Sequence, residues 1–137
     1  MENNSFKNEV LLNGKISELL ISIGGRIDMA GFIYAKEAIK YILAHRCKKG
    51  KLIKVVYQNI ADNHNTSAGN VDKGLSHFFR CICDNTREDE INRVIGLPIY
   101  NKYDYLSAGQ FLAILVEKLS ADFLYYNDEW YLVSELD

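Results

Sequence analysis

The sequence is poor in features that mark secreted or membrane proteins. It has one proline and three cysteines in 137 residues, and this small, odd cysteine count predicts free thiols in a reducing cytoplasm rather than a disulfide framework. No apolar run approaches the roughly 20 residues that a membrane-spanning helix needs. The N-terminus lacks the charged and then apolar pattern of a signal peptide. We therefore expect a cytoplasmic protein with no membrane partner.

Catalytic and metal-binding motifs are also lacking. Gly24-Gly25 has neither the lysine nor the preceding strand of a phosphate-binding loop, and no Ser/His/Asp or Cys/His set carries a motif around it. His77 and Cys81 are four residues apart and share a helical face, but a closed zinc site needs four ligands. We expect a protein that is not an enzyme and that holds neither a cofactor nor a metal.

The chain does have a 48% hydrophobic fraction, and its apolar residues recur at helical spacing. This pattern predicts an all-α fold of six helices, at residues 10–23, 31–46, 51–61, 67–85, 88–95 and 107–119. The aromatic tail favours a small C-terminal β-hairpin, with strands at 123–126 and 130–133. A terminal extension of the sixth helix is the alternative for this tail.

Residues 57–83 are the most informative segment, because they predict a helix-turn-helix. The polar residues 62–65 interrupt the third helix, and Thr66 or Ser67 then offers a side-chain oxygen to the free N–H groups of the fourth helix. The back of the fourth helix is apolar. Its front carries polar side chains near the N-terminus, namely Asn70, Asp72, Lys73, Ser76 and His77. A helix of this kind suits the DNA major groove.

The charges are unevenly distributed along the chain. The net charge is −2, but residues 1–80 hold 12 Lys/Arg against 7 Asp/Glu, whereas residues 81–137 hold 4 against 11. Seven of the cations fall between Lys36 and Lys54, just ahead of the predicted helix-turn-helix, with Glu37 as the one acid among them. Such a cluster can neutralise DNA phosphates. Lysines that interact with a helix dipole are the alternative interpretation.

Five segments of the chain resemble the C-terminal effector domain of stage 0 sporulation protein A, the response regulator family that starts sporulation. They are ISELLISIG (16–24), GFIYAKEAI (31–39), KLIKVVYQNIADNHNTSAGNVDKGLSH (51–77), the helix end at 95–96, and SAGQFLAILVEKL (107–119). The resemblance implies an all-helical DNA-binding domain whose fourth helix enters the major groove.

The resemblance also implies which residues contact DNA. By position, the family's base and phosphate contacts fall on Asn70, Asp72, Lys73, Ser76 and His77. Asp72 could accept from a cytosine amino group and Lys73 could donate to guanine, while His77 could donate to a phosphate. Asn70 and Ser76 stand where the family has arginine, so Asn70 could recognise adenine instead.

The DNA backbone is expected to meet a second set of residues. Ser67 and the N–H groups that follow it would hold the fourth helix against a phosphate. Lys48, Lys49 and Lys51 would bind further phosphates. Because single helix-turn-helix modules commonly bind repeated half-sites, we also expect a homodimer or tandem binding on double-stranded DNA.

The sequence predicts three segments: an N-terminal extension (1–15), a helix-turn-helix effector-like domain (16–119) and an aromatic C-terminal appendage (120–137). No receiver domain fits ahead of residue 16, so phosphorelay control is not expected within this chain. The predicted function is a stand-alone, sequence-specific transcription regulator. The alternative is an interaction module that kept the fold, lost DNA binding and modulates a regulator, with the tail as its contact for a protein partner.

Overall fold

The computed structural model describes residues 4–45, 52–96, 100–101 and 106–136. Six helices and one hairpin follow one another along the described chain. They are α1 (Ser5–Ser22), α2 (Ala30–His45), α3 (Leu52–Asn63), α4 (Ala68–Asn85), α5 (Glu88–Ile95), α6 (Ala108–Ser120), β1 (Phe123–Tyr126) and β2 (Glu129–Leu132), and a 3-10 turn (Val133–Glu135) comes last. The predicted all-helical fold with a small C-terminal hairpin is confirmed.

Helix α2 lies at the centre of the fold and packs against α1, α3, α4, α6 and β1. Its contact with α4 is close because two glycines lie where the helices cross. A Cβ atom at Gly31 would stand 2.4 Å from Phe78 Cβ, and one at Gly74 would stand 2.9 Å from Cε2 of Tyr34. From the sequence alone, Gly74 is only a residue of low helix propensity. The structure shows that no larger residue fits there without moving Tyr34.

Aromatic rings fill the core between α4, α2 and α6. Phe79 of α4 stacks on Phe111 of α6 with ring centroids 4.8 Å apart, and Phe78 meets the edge of Phe32 of α2 at 6.1 Å. Rings at these distances and angles attract one another in addition to the area they bury. The back of α4 is therefore fixed to α2 and α6 by two phenylalanine contacts, and within α4 the rings of Phe78 and Phe79 meet edge-on.

Helix α1 differs from its prediction at the N-terminal end. It begins at Ser5 instead of residue 10, so the predicted boundary between residues 15 and 16 falls inside the helix. Val10, which the periodicity places inward, has 53% of its surface exposed. Gly24 ends this region with a φ of +100°, a conformation that glycine adopts readily.

The hairpin closes on the N-terminal half of α1. Its turn residues Asn127 and Asp128 have φ values of 50° and 63°, which are typical of a tight two-residue hairpin turn. The main chain of Trp130 points away from β1, toward α1. There its N–H donates to Ser5 Oγ at 2.8 Å and its carbonyl accepts from Asn8 Nδ2 at 3.0 Å. Helix α1 thus satisfies the outer edge of β2, which would otherwise be unpaired.

Candidate nucleic-acid interface

The turn between α3 and α4 is built from local hydrogen bonds. Asn65 adopts a left-handed φ of 53°, which lets the chain reverse after α3. Ser67 then caps α4, because its Oγ accepts from the Asn70 main-chain N–H at 3.1 Å. The Asn70 side chain reaches back and donates to Thr66 Oγ1 at 3.0 Å. Of the two predicted caps, Ser67 holds the position, and Thr66 orients Asn70.

Helix α2 fixes this turn to the body of the protein. His64 in the turn pairs through Nε2 with the Glu37 carboxylate, and its ring meets Tyr34 edge-on at 5.4 Å. Tyr34 also lies against Gly74. The same tyrosine therefore touches both the turn and α4, so the angle between α3 and α4 is set by contacts with α2.

The five predicted contact residues on α4 share its solvent face. Asn70, Asp72, Lys73, Ser76 and His77 are all exposed, whereas the apolar back is buried. The hairpin, the described part of the tail that could have covered them, packs instead on α1, α2 and α6. The first three turns of α4 are thus open to a ligand. The role of each side chain stays a prediction.

The charges at this face are mixed. Lys73 and Arg80 contribute positive charge and Asp72 contributes negative charge. Burial raises the pKa of the Tyr57 phenol on α3, and the charge of Asp72 raises that pKa further. The Asp72 carboxylate is thus close enough to α3 to act on the Tyr57 phenol. Lys73 thus supplies a hydrogen-bond donor and Asp72 an acceptor on the exposed side of α4, and both kinds of group can contact base edges.

The basic cluster is described only in part. Lys48, Lys49 and Lys51 lie outside the described residues, as does Arg46. Of the other three cations, Lys40 forms an ion pair with Glu9, and Lys36 Nζ lies 6.0 Å from the centroid of the Phe32 ring. Lys54 near the start of α3 is exposed.

Arg80 is a candidate that the sequence prediction missed. Arg80 is exposed. It lies seven residues after Lys73 and four after Ser76, so the three side chains follow one face of α4. With Ser76 and Ser107, Arg80 lines a groove of about 240 Å³ between α4 and the start of α6. This helical spacing is visible in the sequence, but the prediction considered only the first half of the helix.

The start of α6 is well ordered by a capping box. Ser107 Oγ accepts from the Gln110 main-chain N–H at 3.2 Å, and Gln110 Oε1 accepts from the Ser107 N–H at 2.8 Å. The positive end of the α6 dipole thus lies at the groove that Arg80 lines. An anion such as a phosphate would be favoured there by both charges.

The described residues form neither a metal cluster nor a membrane span. The Sγ atom of Cys81 lies 3.9 Å from both ring nitrogens of His77. Across the described ranges, no group of three or more His, Cys, Asp or Glu side chains could hold a metal ion. No helix in the described part of the chain has the length and apolar character needed to cross a membrane.

One comparison with known proteins bears on this face. A family model described as "Sporulation initiation factor Spo0A C terminal" matches residues 16–119. The matched region contains the last seven residues of α1, all of α2 to α5 and all but the last residue of α6, so it includes the whole helix-turn-helix. The first part of α1 and the hairpin lie outside it.

Proposed function

Because this chain belongs to the Spo0A C-terminal family, a family of DNA-binding effector domains in sporulation transcription control, we propose that it is a sequence-specific DNA-binding regulator. In this proposal α4 enters the major groove, and residues 1–137 suffice for binding without a further domain. The observation that carries the proposal is the open polar face at the start of α4, held rigidly on α2. As a DNA-binding protein it would act in the cytoplasm.

Three side chains on α4 would recognise bases. Asn70 donates one of its two amide N–H groups to Thr66 Oγ1, and its carbonyl oxygen would accept from an adenine amino group. Lys73 would donate to guanine O6 or N7, and Asp72 would accept from the amino group of cytosine. Lysine gives one point contact where an arginine gives a fork. We therefore expect a base preference that differs from that of family members with arginine at these positions.

A second set of groups would bind the DNA backbone. Ser67 orders the first turn of α4, so that its free N–H groups can point at a phosphate. His77 and Ser76 would meet the backbone beside α4, and Lys48, Lys49 and Lys51 would add charge that is independent of sequence. Support for one more contact comes from the Arg80 groove, where a cation and the start of α6 meet.

The decisive experiment is selection of bound oligonucleotides from a random pool at two salt concentrations, followed by binding measurements with variants. Lys73→Ala should lose about 1–3 kcal/mol of discrimination at one base-pair position. Arg80→Ala should weaken all sequences alike and reduce the salt slope by about one. Lys15→Ala is the matched control, because it removes an exposed lysine from α1, away from α4.

Two results would reject this assignment. Recovery of no enriched sequence at either salt concentration would leave the alternative, a protein-interaction module that kept the fold. Equal effects of Lys73→Ala and Lys15→Ala on every probe would show that α4 does not recognise bases. Selected sites that contain two half-sites would support tandem or homodimeric binding, and a single half-site would contradict it.

A further inference from the structure

The solvent side of α1 carries a row of residues that do not pack on the core. Phe6 and Val10 lie toward one end of this row with exposed fractions of 81% and 53%, and Ile21 lies at the other end with 48%. Between them Gly14 is exposed and Ser17 is half-buried. The five residues follow one face of the helix because they are three or four positions apart, and we call them the outer stripe. Large exposed apolar side chains grouped on one face are typical of an interaction surface.

The outer stripe is nearly symmetric along the helix. A two-fold axis that passes between Gly14 and the residue before it would place Phe6 over Ile21 of a second, antiparallel copy. The same axis would place Val10 over Ser17, so that a larger side chain meets a small one. Closed dimers need such a self-complementary patch, in which each contact occurs twice. A second copy of this chain therefore matches the outer stripe at both of its ends.

Gly14 lies at the centre of this arrangement and makes no close side-chain contact within one copy. A Cβ atom built there would have no described atom within 4 Å, in contrast to Gly31 and Gly74 at the crossing of α2 and α4. A glycine in mid-helix is destabilising without such a contact. At a helix crossing, however, the absence of a side chain lets two backbones approach closely.

The charges beside the outer stripe complement each other in the same geometry. Lys7 and Glu18 are exposed on the same flank of α1, near opposite ends of the stripe. In an antiparallel pair the two-fold axis brings Lys7 within about two residues, or about 3 Å along the helix axis, of the Glu18 position in the second copy. Glu18 also lies 3.6 Å from Lys15 of its own helix, and a carboxylate can accept from two cations. Each dimer would gain two ion pairs between copies.

We propose that the outer stripe joins two copies of this chain through antiparallel α1 helices that cross at Gly14. Phe6, Val10 and Gly14 precede the family match, so most of this surface belongs to the part of α1 that lies outside it. The association is proposed for the free protein. The test of this association can therefore succeed or fail independently of the DNA selection experiment.

Sedimentation equilibrium of the full chain without DNA, up to about 200 µM, tests the proposal. Val10→Asp should raise the dimer dissociation constant at least about tenfold, and so should Gly14→Leu, because leucine would hold the two backbones apart. Ile33→Asp is the matched control, because Ile33 is similarly exposed on α2 but lies outside the outer stripe. Circular dichroism should show that Gly14→Leu keeps or gains helix, since leucine is a better helix former.

A charge exchange tests the antiparallel arrangement. Lys7→Glu alone should weaken the dimer, because it sets like charges against each other, and Lys7→Glu combined with Glu18→Lys should restore it. A protein that is monomeric throughout the concentration range would overturn the proposal. So would a dimer that responds equally to Val10→Asp and Ile33→Asp, or one that the double charge exchange leaves as weak as the single variant.

Discussion

Three glycine-to-alanine substitutions should have effects of different sign, because the three glycines have different surroundings. At Gly14 an added Cβ meets nothing within 4 Å, so Gly14→Ala should stabilise the monomer by up to about 1 kcal/mol through helix propensity. At Gly74 the Cβ would stand 2.9 and 3.0 Å from two ring atoms of Tyr34. That ring must shift, at a cost of about 1–3 kcal/mol.

The net effect at Gly74 is therefore a loss of up to about 2 kcal/mol, because the gain of about 1 kcal/mol in helix propensity offsets only part of the clash. Gly31→Ala should destabilise the protein more than Gly74→Ala does. Its Cβ would stand 2.4 Å from Phe78 Cβ and 2.5 Å from the Gly74 carbonyl oxygen, and neither atom can swing away as a ring can. We expect a loss of about 3 kcal/mol there.

Urea unfolding followed by circular dichroism measures these three changes. The protein concentration should be low enough to keep the chain monomeric, so that association through α1 does not affect the Gly14→Ala value. The expected order of stability is Gly14→Ala, wild type, Gly74→Ala and Gly31→Ala. If Gly74→Ala were as stable as Gly14→Ala, the result would contradict the close crossing that holds α4 against α2.

Two further predictions concern buried groups outside that crossing. Asn8→Ala should destabilise the protein by about 1–3 kcal/mol, because it leaves the buried Trp130 carbonyl without its donor. Fluorescence of Trp130, the only tryptophan, should report this loss during urea unfolding, and an unchanged midpoint would count against the contact. Burial raises the pKa of the Cys83 thiol, so at pH 8 it should be alkylated more slowly than Cys81. Because the unfolded chain loses this proton first, stability should fall as the pH rises above about 8.5. Equal alkylation rates for the two thiols would contradict the burial of Cys83.

The start of α4 could be predicted from sequence because its signals are local. The polar turn, the Ser67 cap and the apolar spacing that follows all lie within about 20 residues, and each indicates the same helix start. The tail hairpin was predictable for the same reason, since Asn127-Asp128 favours a tight turn between two β-prone segments.

The start of α1 could not be predicted in this way. Its first two turns face the hairpin with Ser5 and Asn8, which are polar residues, so a search for apolar periodicity does not detect them. Their partner is the main chain of Trp130, more than 120 residues away. The need for glycine at position 74 also depends on a residue that is distant in sequence, because only the position of Tyr34 explains it.

The meeting of α1 with β2 has a practical consequence for anyone who shortens this protein. A chain trimmed to the family boundaries, residues 16–119, would begin in the middle of α1 and discard Leu12, Phe123 and Trp130, all of them buried. Although the two ends are distant in sequence, the start of α1 and the hairpin pack against each other and each buries apolar surface of the other. Removing either one alone should uncover apolar surface on the other and make the shortened protein prone to aggregate.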